Sequence, residues 1–303
     1  MKFKLTNRDK IRELINIFDI LKKFNDIITF NFNKYGVQSQ SMDTSHVSLF
    51  ELSIKCEWFD EYILKNDTVV SIKMNDLIKI LSVYDKYESL TVSYILEEDD
   101  SVNIIFENYE KNDSPPVLVP AVKKRRKKIE NENIDQEMNK LTEKMSEITI
   151  KKANETISFV LNPVEVECEI LGIPEEEYST VVEMSSNKFT DVLKQLSIFD
   201  TDIFNINVSY NNETIEFNTY SDHCKETKII LSNDILDKFE INSDININLS
   251  FKFINMCISN KITDKIRISI NPNQPINIKY LFKQNYIDLV CFIAPKIDDD
   301  DTS

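Results

Sequence analysis

The sequence predicts an α+β fold duplicated within one chain. Two observations carry this. A helical apolar stripe followed by a strand pattern recurs four times, twice in each half, and short β-rich runs fill most of the rest. The first predicted helix covers residues 8–26. Ile11, Leu14, Ile15, Phe18 and Leu21 fall at i, i+3, i+4, i+7 and i+10, one face of a 3.6-residue turn, and Asn7 can cap the start. A strand follows over 27–32. The second helix, 75–84, turns Leu77, Ile80 and Leu81 inward before a strand at 90–96. The third, 187–198, buries Phe189, Val192, Leu193 and Leu196 before a strand at 203–210. The fourth, 251–259, precedes a strand at 266–270. Further strand patterns cover 47–56, 102–106, 157–161, 214–220, 227–231, 276–280 and 286–293. The halves share this order of patterns more than they share letters.

Residues 111–152 break the pattern. Pro115, Pro116 and Pro120 interrupt structure, and Lys123-Lys124-Arg125-Arg126-Lys127-Lys128 forms an unbroken basic run. Beyond it Ile134, Met138, Leu141, Met145 and Ile148 recur at three- and four-residue spacing. This reads as an exposed insertion, a basic linker with one surface helix. The basic run ranks first as a nuclear import signal and second as a DNA contact; otherwise it is a solvated linker. Residues 298–303 read as an acidic tail.

Composition excludes several function classes. The chain has 303 residues, 36 Lys+Arg against 51 Asp+Glu, a formal charge of −15, and 42% hydrophobic residues, enough for a core in about two domains. Its only glycines are Gly36 and Gly172, so no phosphate loop, dinucleotide fingerprint or G-x-S-x-G elbow exists, since each needs several glycines in one short window. Five cysteines without C-x-x-C spacing point to reduced thiols inside a cell. His46 and His223 are too few for a histidine-built zinc site. No apolar signal core or 18-residue apolar run occurs, so neither secretion nor membrane spanning is expected. The carboxylates of 175–177 and 298–301 are local and crowded with like charge, unlike metal ligands converging from rigid elements, and no nucleophile–base pair is visible. The chain reads as a non-enzyme that needs no cofactor. Its wealth of Ile, Asn and Lys matches A/T-rich codon usage; with the insertion, that points to a large DNA virus or a protist as source.

Two segments are more specific. Residues 36–49, Gly-Val-Gln-Ser-Gln-Ser-Met-Asp-Thr-Ser-His-Val-Ser-Leu, and 171–178, Leu-Gly-Ile-Pro-Glu-Glu-Glu-Tyr, resemble the eukaryotic sliding clamp family, proliferating cell nuclear antigen. Ala294-Pro295-Lys296-Ile297 and the acids after it resemble that family's last strand and tail. The resemblance spans nearly the whole chain apart from the insertion. It implies a first clamp domain over 1–162 carrying the insertion at about 111–152, a connector at 163–180, and a second domain over 181–303. It further implies a homotrimeric ring with helices lining a hole for duplex DNA. Such a ring tethers DNA polymerase, the clamp loader and other replication and repair proteins, in a nucleus or a viral replication compartment.

Residue by residue, the resemblance puts Lys22, Lys79 and Lys194 at basic pore positions, adds Lys10 and Arg12 on the first helix, and matches Lys252 and, nearby, Lys261. Asp191 and Ser82 stand where that family carries positive charge. Each lysine alone is read more simply as a solvated helix face; only the set favours a pore. One wall of a client-peptide pocket maps to Met42, His46, Val47 and Leu49, the connector to Leu171, Gly172, Ile173 and Pro174, and the other wall to Pro275, Phe292, Ala294, Pro295 and Ile297. Phe292 replaces a tyrosine, so one hydroxyl is missing. Without the resemblance, Met42, Val47 and Leu49 read as core. Ring interface strands map to 157–161 (Ile157, Phe159, Leu161) and 227–231 (Thr227, Ile229, Leu231), apolar runs that are hazardous as free edges and natural when paired. The competing expectation is a monomeric processivity factor gripping DNA electrostatically, which would lose affinity steeply with salt.

Overall fold

The computed structural model describes residues 1–95, 100–109, 153–166, 171–173 and 177–296. The insertion with its basic run and expected helix, Pro174, Glu175, Glu176, Ile297 and the tail lie outside the described residues. The first half runs β1 (Lys2–Leu5), α1 (Arg8–Leu21), β2 (Ile27–Asn33), β3 (Gly36–Met42), β4 (Ser48–Lys55), β5 (Glu61–Ile63), β6 (Thr68–Lys73), α2 (Met74–Leu81), β7 (Ser89–Ile95), β8 (Ser101–Tyr109) and β9 (Ala153–Leu161). The second repeats the order: β10 (Thr180–Ser185), α3 (Ser186–Leu196), β11 (Ile203–Ser209), β12 (Thr214–Thr219), β13 (Thr227–Ser232), β14 (Lys238–Ile241), β15 (Ile245–Ser250), α4 (Phe251–Met256), β16 (Lys265–Ile270), β17 (Ile276–Tyr280) and β18 (Ile287–Ile293).

The helices form where the stripes predict. On α1 the whole stripe is buried and the Asn7 side chain accepts the Asp9 amide at 2.8 Å. All four helices end earlier than expected, α1 by five residues, α2 and α4 by three and α3 by two. After α1 the Lys23 and Phe24 amides bond back to Ile20 and Leu21, tightening the turn well before residue 26. After α4 the Tyr280 hydroxyl donates to the Cys257 carbonyl at 2.8 Å and accepts the Ser259 amide at 2.8 Å, which draws residues 257–259 out of the helix.

All strand pairs are antiparallel. The sheet orders are β5-β1-β7-β8-β9, β13-β12-β11-β15 and β14-β10-β16-β17-β18-β4-β3-β2-β6. The third sheet is two half-sheets fused. Its β14-β10-β16-β17-β18 portion repeats the first sheet, its β4-β3-β2-β6 portion repeats the second, and β18–β4 is the junction, with Ile287 opposite Ile54 and Ile293 opposite Ser48. The strands on either side of the insertion pair: Val102 on β8 faces Leu161 on β9. Each half closes its core between helices and sheets, through residues such as Leu14, Phe18 and Phe106 in the first and Phe189, Phe204 and Phe217 in the second.

Candidate functional site

Helices from both halves share one surface. α2 packs beside α1. The chain after α4 runs back along α1: Lys23 Nζ donates to the Met256 carbonyl at 3.2 Å, and Asn16 Nδ2 to the Lys261 carbonyl at 2.8 Å. Asn260 Nδ2 then reaches Asn187 Oδ1 at 2.8 Å, at the start of α3. An open cleft of about 630 Å³ lies between α1 and residues 260–265 and 281–284. In it burial raises the Glu13 carboxyl above its ordinary value, against a hydrogen bond from Trp58.

The seven expected pore cations sit on or beside this surface in different company. Lys10 is held by Asp60 Oδ1 and the Trp58 carbonyl, each at 2.7 Å. Arg12 pairs with Asp9 at 3.4 Å, Lys22 with Asp19 at 3.0 Å, Lys79 with Asp76 at 3.3 Å and Lys194 with Asp191 at 3.5 Å. Lys252 lies over the Phe253 ring, 5.2 Å from its centre, and Lys261 is exposed. Ser82 donates to the Lys79 carbonyl, so it is a helix-end contact.

Of the expected pocket residues, Met42, Leu49 and Phe292 share one face of the long sheet, while Val47 packs against the core and His46 is exposed on the turn after β3. Met42 faces Leu49, Leu49 faces Phe292, and Phe292 faces Asn277, one row across four strands. The connector is fastened above that row by Gln40: its Oε1 accepts the Leu171 amide at 2.7 Å and its Nε2 donates to the Leu171 carbonyl at 2.9 Å. Ala294 donates its amide to the Val47 carbonyl at 2.9 Å, tying the two walls. Leu171 and Gly172 are exposed, Ile173 and Pro295 half-buried, and Pro275 exposed beside β17. Sequence reasoning missed Gln40, whose place two residues before Met42 on one strand face is the signal that finds it.

The wall turn is built on Asp43, which is 5% exposed. Its carboxylate accepts the amides of Ser45 (2.7 Å), Val47 (3.0 Å) and Ser48, and the Ser48 hydroxyl (2.9 Å). His46 takes φ 60°, a left-handed conformation that histidine tolerates better than branched residues. Burial pushes the Asp43 carboxyl up, but the four donors together outweigh it and hold it below the ordinary carboxylate value. A depressed folded-state value stabilises the fold above the unfolded carboxyl's titration, near pH 4, and that stabilisation is lost as pH falls through the folded-state value. Asp43→Ala is expected to cost about 2–4 kcal/mol, because it strands buried amides, and to flatten the acid limb of a stability–pH profile. Denaturant unfolding at pH 7 and across pH 2–5 measures both.

The two expected interface strands are sheet edges: β9 ends one sheet and β13 another. Ile157, Phe159, Leu161 and Ile229 are half-buried on the core side, Thr227 is half-buried, and Leu231 is buried. The large apolar groups on the opposite side are Val160 and Ile230, both more than half exposed. The expected residues therefore lie on two sheet edges, while the large apolar side chains left open on the outer side are their sequence neighbours.

Two halves of one element order, a shared helical surface and an open strand edge in each half define a subunit of the sliding-clamp type. Family models for proliferating cell nuclear antigen match the chain twice, the N-terminal domain over residues 8–118 and the C-terminal domain over 172–296. The chain belongs to the proliferating cell nuclear antigen family, whose members are DNA polymerase sliding clamps. It is 29% identical over 292 residues to proliferating cell nuclear antigen 2 of Plasmodium falciparum, covering 93% of this chain and 95% of that protein. It is 22% identical over 297 residues to the Caenorhabditis elegans protein, covering 93% and 94%. Its fold matches the crystal structure of the Entamoeba histolytica protein with TM-score 0.73, 24% identity and 98% of both chains covered. It also matches a PCNA2–PCNA3 complex from Sulfolobus tokodaii with TM-score 0.72 and 17% identity, over 98% of this chain and 99% of that one.

Proposed function

We propose that three copies of this chain close into a ring around duplex DNA, with the helical surface inside, and that client proteins dock a short motif on the Met42–Leu49–Phe292 row beneath the connector. One observation carries the reading. Inside the chain, the last strand of the second half, β18, pairs with β4 of the first. The equivalents of those two strands are β9 and β13, and both are open edges. Pairing β9 of one copy with β13 of the next repeats the internal junction and removes both edges. A monomeric DNA binder leaves these edges unexplained. The domain division at 1–162, 163–180 and 181–303 belongs to this reading, as does work without catalysis in a nucleus or viral replication compartment. The test is mass and retention together: light scattering should give three chain masses, and a loaded ring should survive high salt on closed circular DNA and slide off linear DNA. A monomer that salt strips equally from both overturns it.

The pocket has its own expected result. Leu171→Ala with Ile173→Ala removes apolar surface from the connector, and client-peptide binding should weaken by about 1–3 kcal/mol, since a few buried anchors carry most of such affinity. Unchanged affinity by calorimetry would remove the connector from the pocket.

A further inference from the structure

The basic residues of the helical surface form two chemically different sets. In the first, each cation has an aspartate three residues earlier in the chain: Asp9–Arg12, Asp19–Lys22, Asp76–Lys79 and Asp191–Lys194. Side chains three residues apart share a helix face, so the carboxylate is presented wherever the cation is. Lys10 is likewise matched by Asp60. A phosphate approaching such a pair meets attraction and repulsion at similar range. The cation also already has a protein counterion, so it releases little from the condensed atmosphere of DNA.

The second set is Lys23, Lys188, Lys252 and Lys261. All four are exposed, and among the described residues none forms an ion pair with a carboxylate. Lys23, Lys252 and Lys261 belong to elements that meet at the seam between the halves, and Lys188 to α3, whose start binds the segment carrying Lys261 from within the second half. Lys23 reaches the Met256 carbonyl at the end of α4, Lys252 stands on α4, Lys261 lies on the segment running back along α1, and Lys188 follows Asn187, which Asn260 binds. Lys23 spends one of three ammonium hydrogens on Met256, leaving two for another acceptor. Burial of its amine end lowers its pKa and outweighs the opposing attraction of Asp19, which bonds Lys22 and not Lys23.

We propose that the clamp touches the DNA backbone chiefly through this four-lysine seam, and that Asp9, Asp19, Asp76 and Asp191 act as built-in counterions that mute the other basic positions. The inference rests on the helical surface facing DNA. Two of the four lysines, Lys23 and Lys188, are not among the expected pore residues. A consequence is that phosphate binding recurs once per subunit instead of along every helix, which favours loose sliding over gripping.

The test uses the full chain, with the ring verified by light scattering and the fold by circular dichroism. Anisotropy of a fluorescent duplex is followed from low to moderate salt. Changing the four seam lysines to glutamine should weaken binding by roughly tenfold at low salt and reduce the log–log salt slope by about one for each phosphate no longer neutralised. Lys22→Gln, Lys79→Gln and Lys194→Gln together should weaken binding clearly less. Asp19→Asn, Asp76→Asn and Asp191→Asn together should tighten binding and steepen the slope. Equal weakening by both lysine sets, or no tightening from the aspartate set, overturns the seam while leaving the helical surface as the DNA face. Binding insensitive to every variant overturns the seam together with the reading beneath it.

Discussion

Cysteines placed at Ser158 and Lys228 are expected to lock the assembled ring into one covalent species. The pairing register follows from the duplication. Ile54 on β4 faces Val37, the second residue of β3, as Leu231 on β13 faces Ile215, the second residue of β12. Ile293 on β18 faces Ile276, as Leu161 on β9 faces Val102. Ile54 thus corresponds to Leu231 and Ile293 to Leu161. Within the chain Val290 faces Glu51 and Leu289 faces Leu52. In the proposed ring the equivalent pairs between copies would be Ser158 with the partner subunit's Lys228, and Ile157 with the partner subunit's Ile229. Directly opposed residues have Cβ atoms about 5 Å apart, within reach of a short bis-alkylating cross-linker. In a background with Cys56, Cys168 and Cys224 changed to serine, Ser158→Cys with Lys228→Cys should convert nearly all protein to a cross-linked trimer. Faster cross-linking from Val160→Cys with Lys228→Cys would show a register shifted by two residues. No cross-linking at either, in a protein running as a monomer, would defeat the ring.

What is legible in the sequence follows local physics. The helices can be read because a one-sided apolar stripe needs only local spacing, as Ile11 to Leu21 shows. β3 is recognisable only as a motif, not as a strand, and its chemistry explains why. Ser39 faces inward and donates to the Thr29 carbonyl at 2.8 Å, while Thr29 and Ser71 share a buried hydroxyl contact. A polar residue satisfied in the core erases the alternation that announces a strand. β1, β5 and β14, of three or four residues, are too short to show a period, and only pairing makes them strands. At the helical surface, aspartates precede Arg12, Lys22, Lys79 and Lys194 by three residues in the sequence, but of these only Asp191 stands out there. Which lysines stand alone is not visible, because Lys23 and Lys261 are placed by contacts between residues distant in sequence, Lys23 with Met256 and Asn16 with Lys261. The edge strands are found, but which of their side chains face out depends on register, and one step flips the face.

Gly36→Ala should be the most damaging single change in the first half. Gly36 opens β3 at φ +139°, a conformation that residues with a side chain rarely adopt. An added Cβ would lie 2.0 Å from the Ile54 carbonyl oxygen, 2.8 Å from the Cys56 amide nitrogen and 2.9 Å from the Lys55 carbonyl carbon. All three are backbone atoms, so no side chain can swing away; β3 and β4 must separate. That breaks the pairing of Gly36 with Lys55 and pulls the Gly36 carbonyl from the Tyr62 hydroxyl, which donates to it at 2.8 Å. Burial pushes that phenol up to about 12, so it remains a donor at any pH where the protein is handled. Strain and clash together should cost about 3–5 kcal/mol, at the upper end for a single substitution. Because β3 carries Gln40 and Met42, and β4 forms the junction with β18, client-peptide affinity should fall with stability. Gly172→Ala is the matched comparison: nothing lies within 4 Å of its added Cβ, and stability should change by less than about 0.5 kcal/mol. Urea unfolding of both variants measures the contrast, and a Gly36→Ala protein as stable as wild type would mean that β3 does not pass this close to β4.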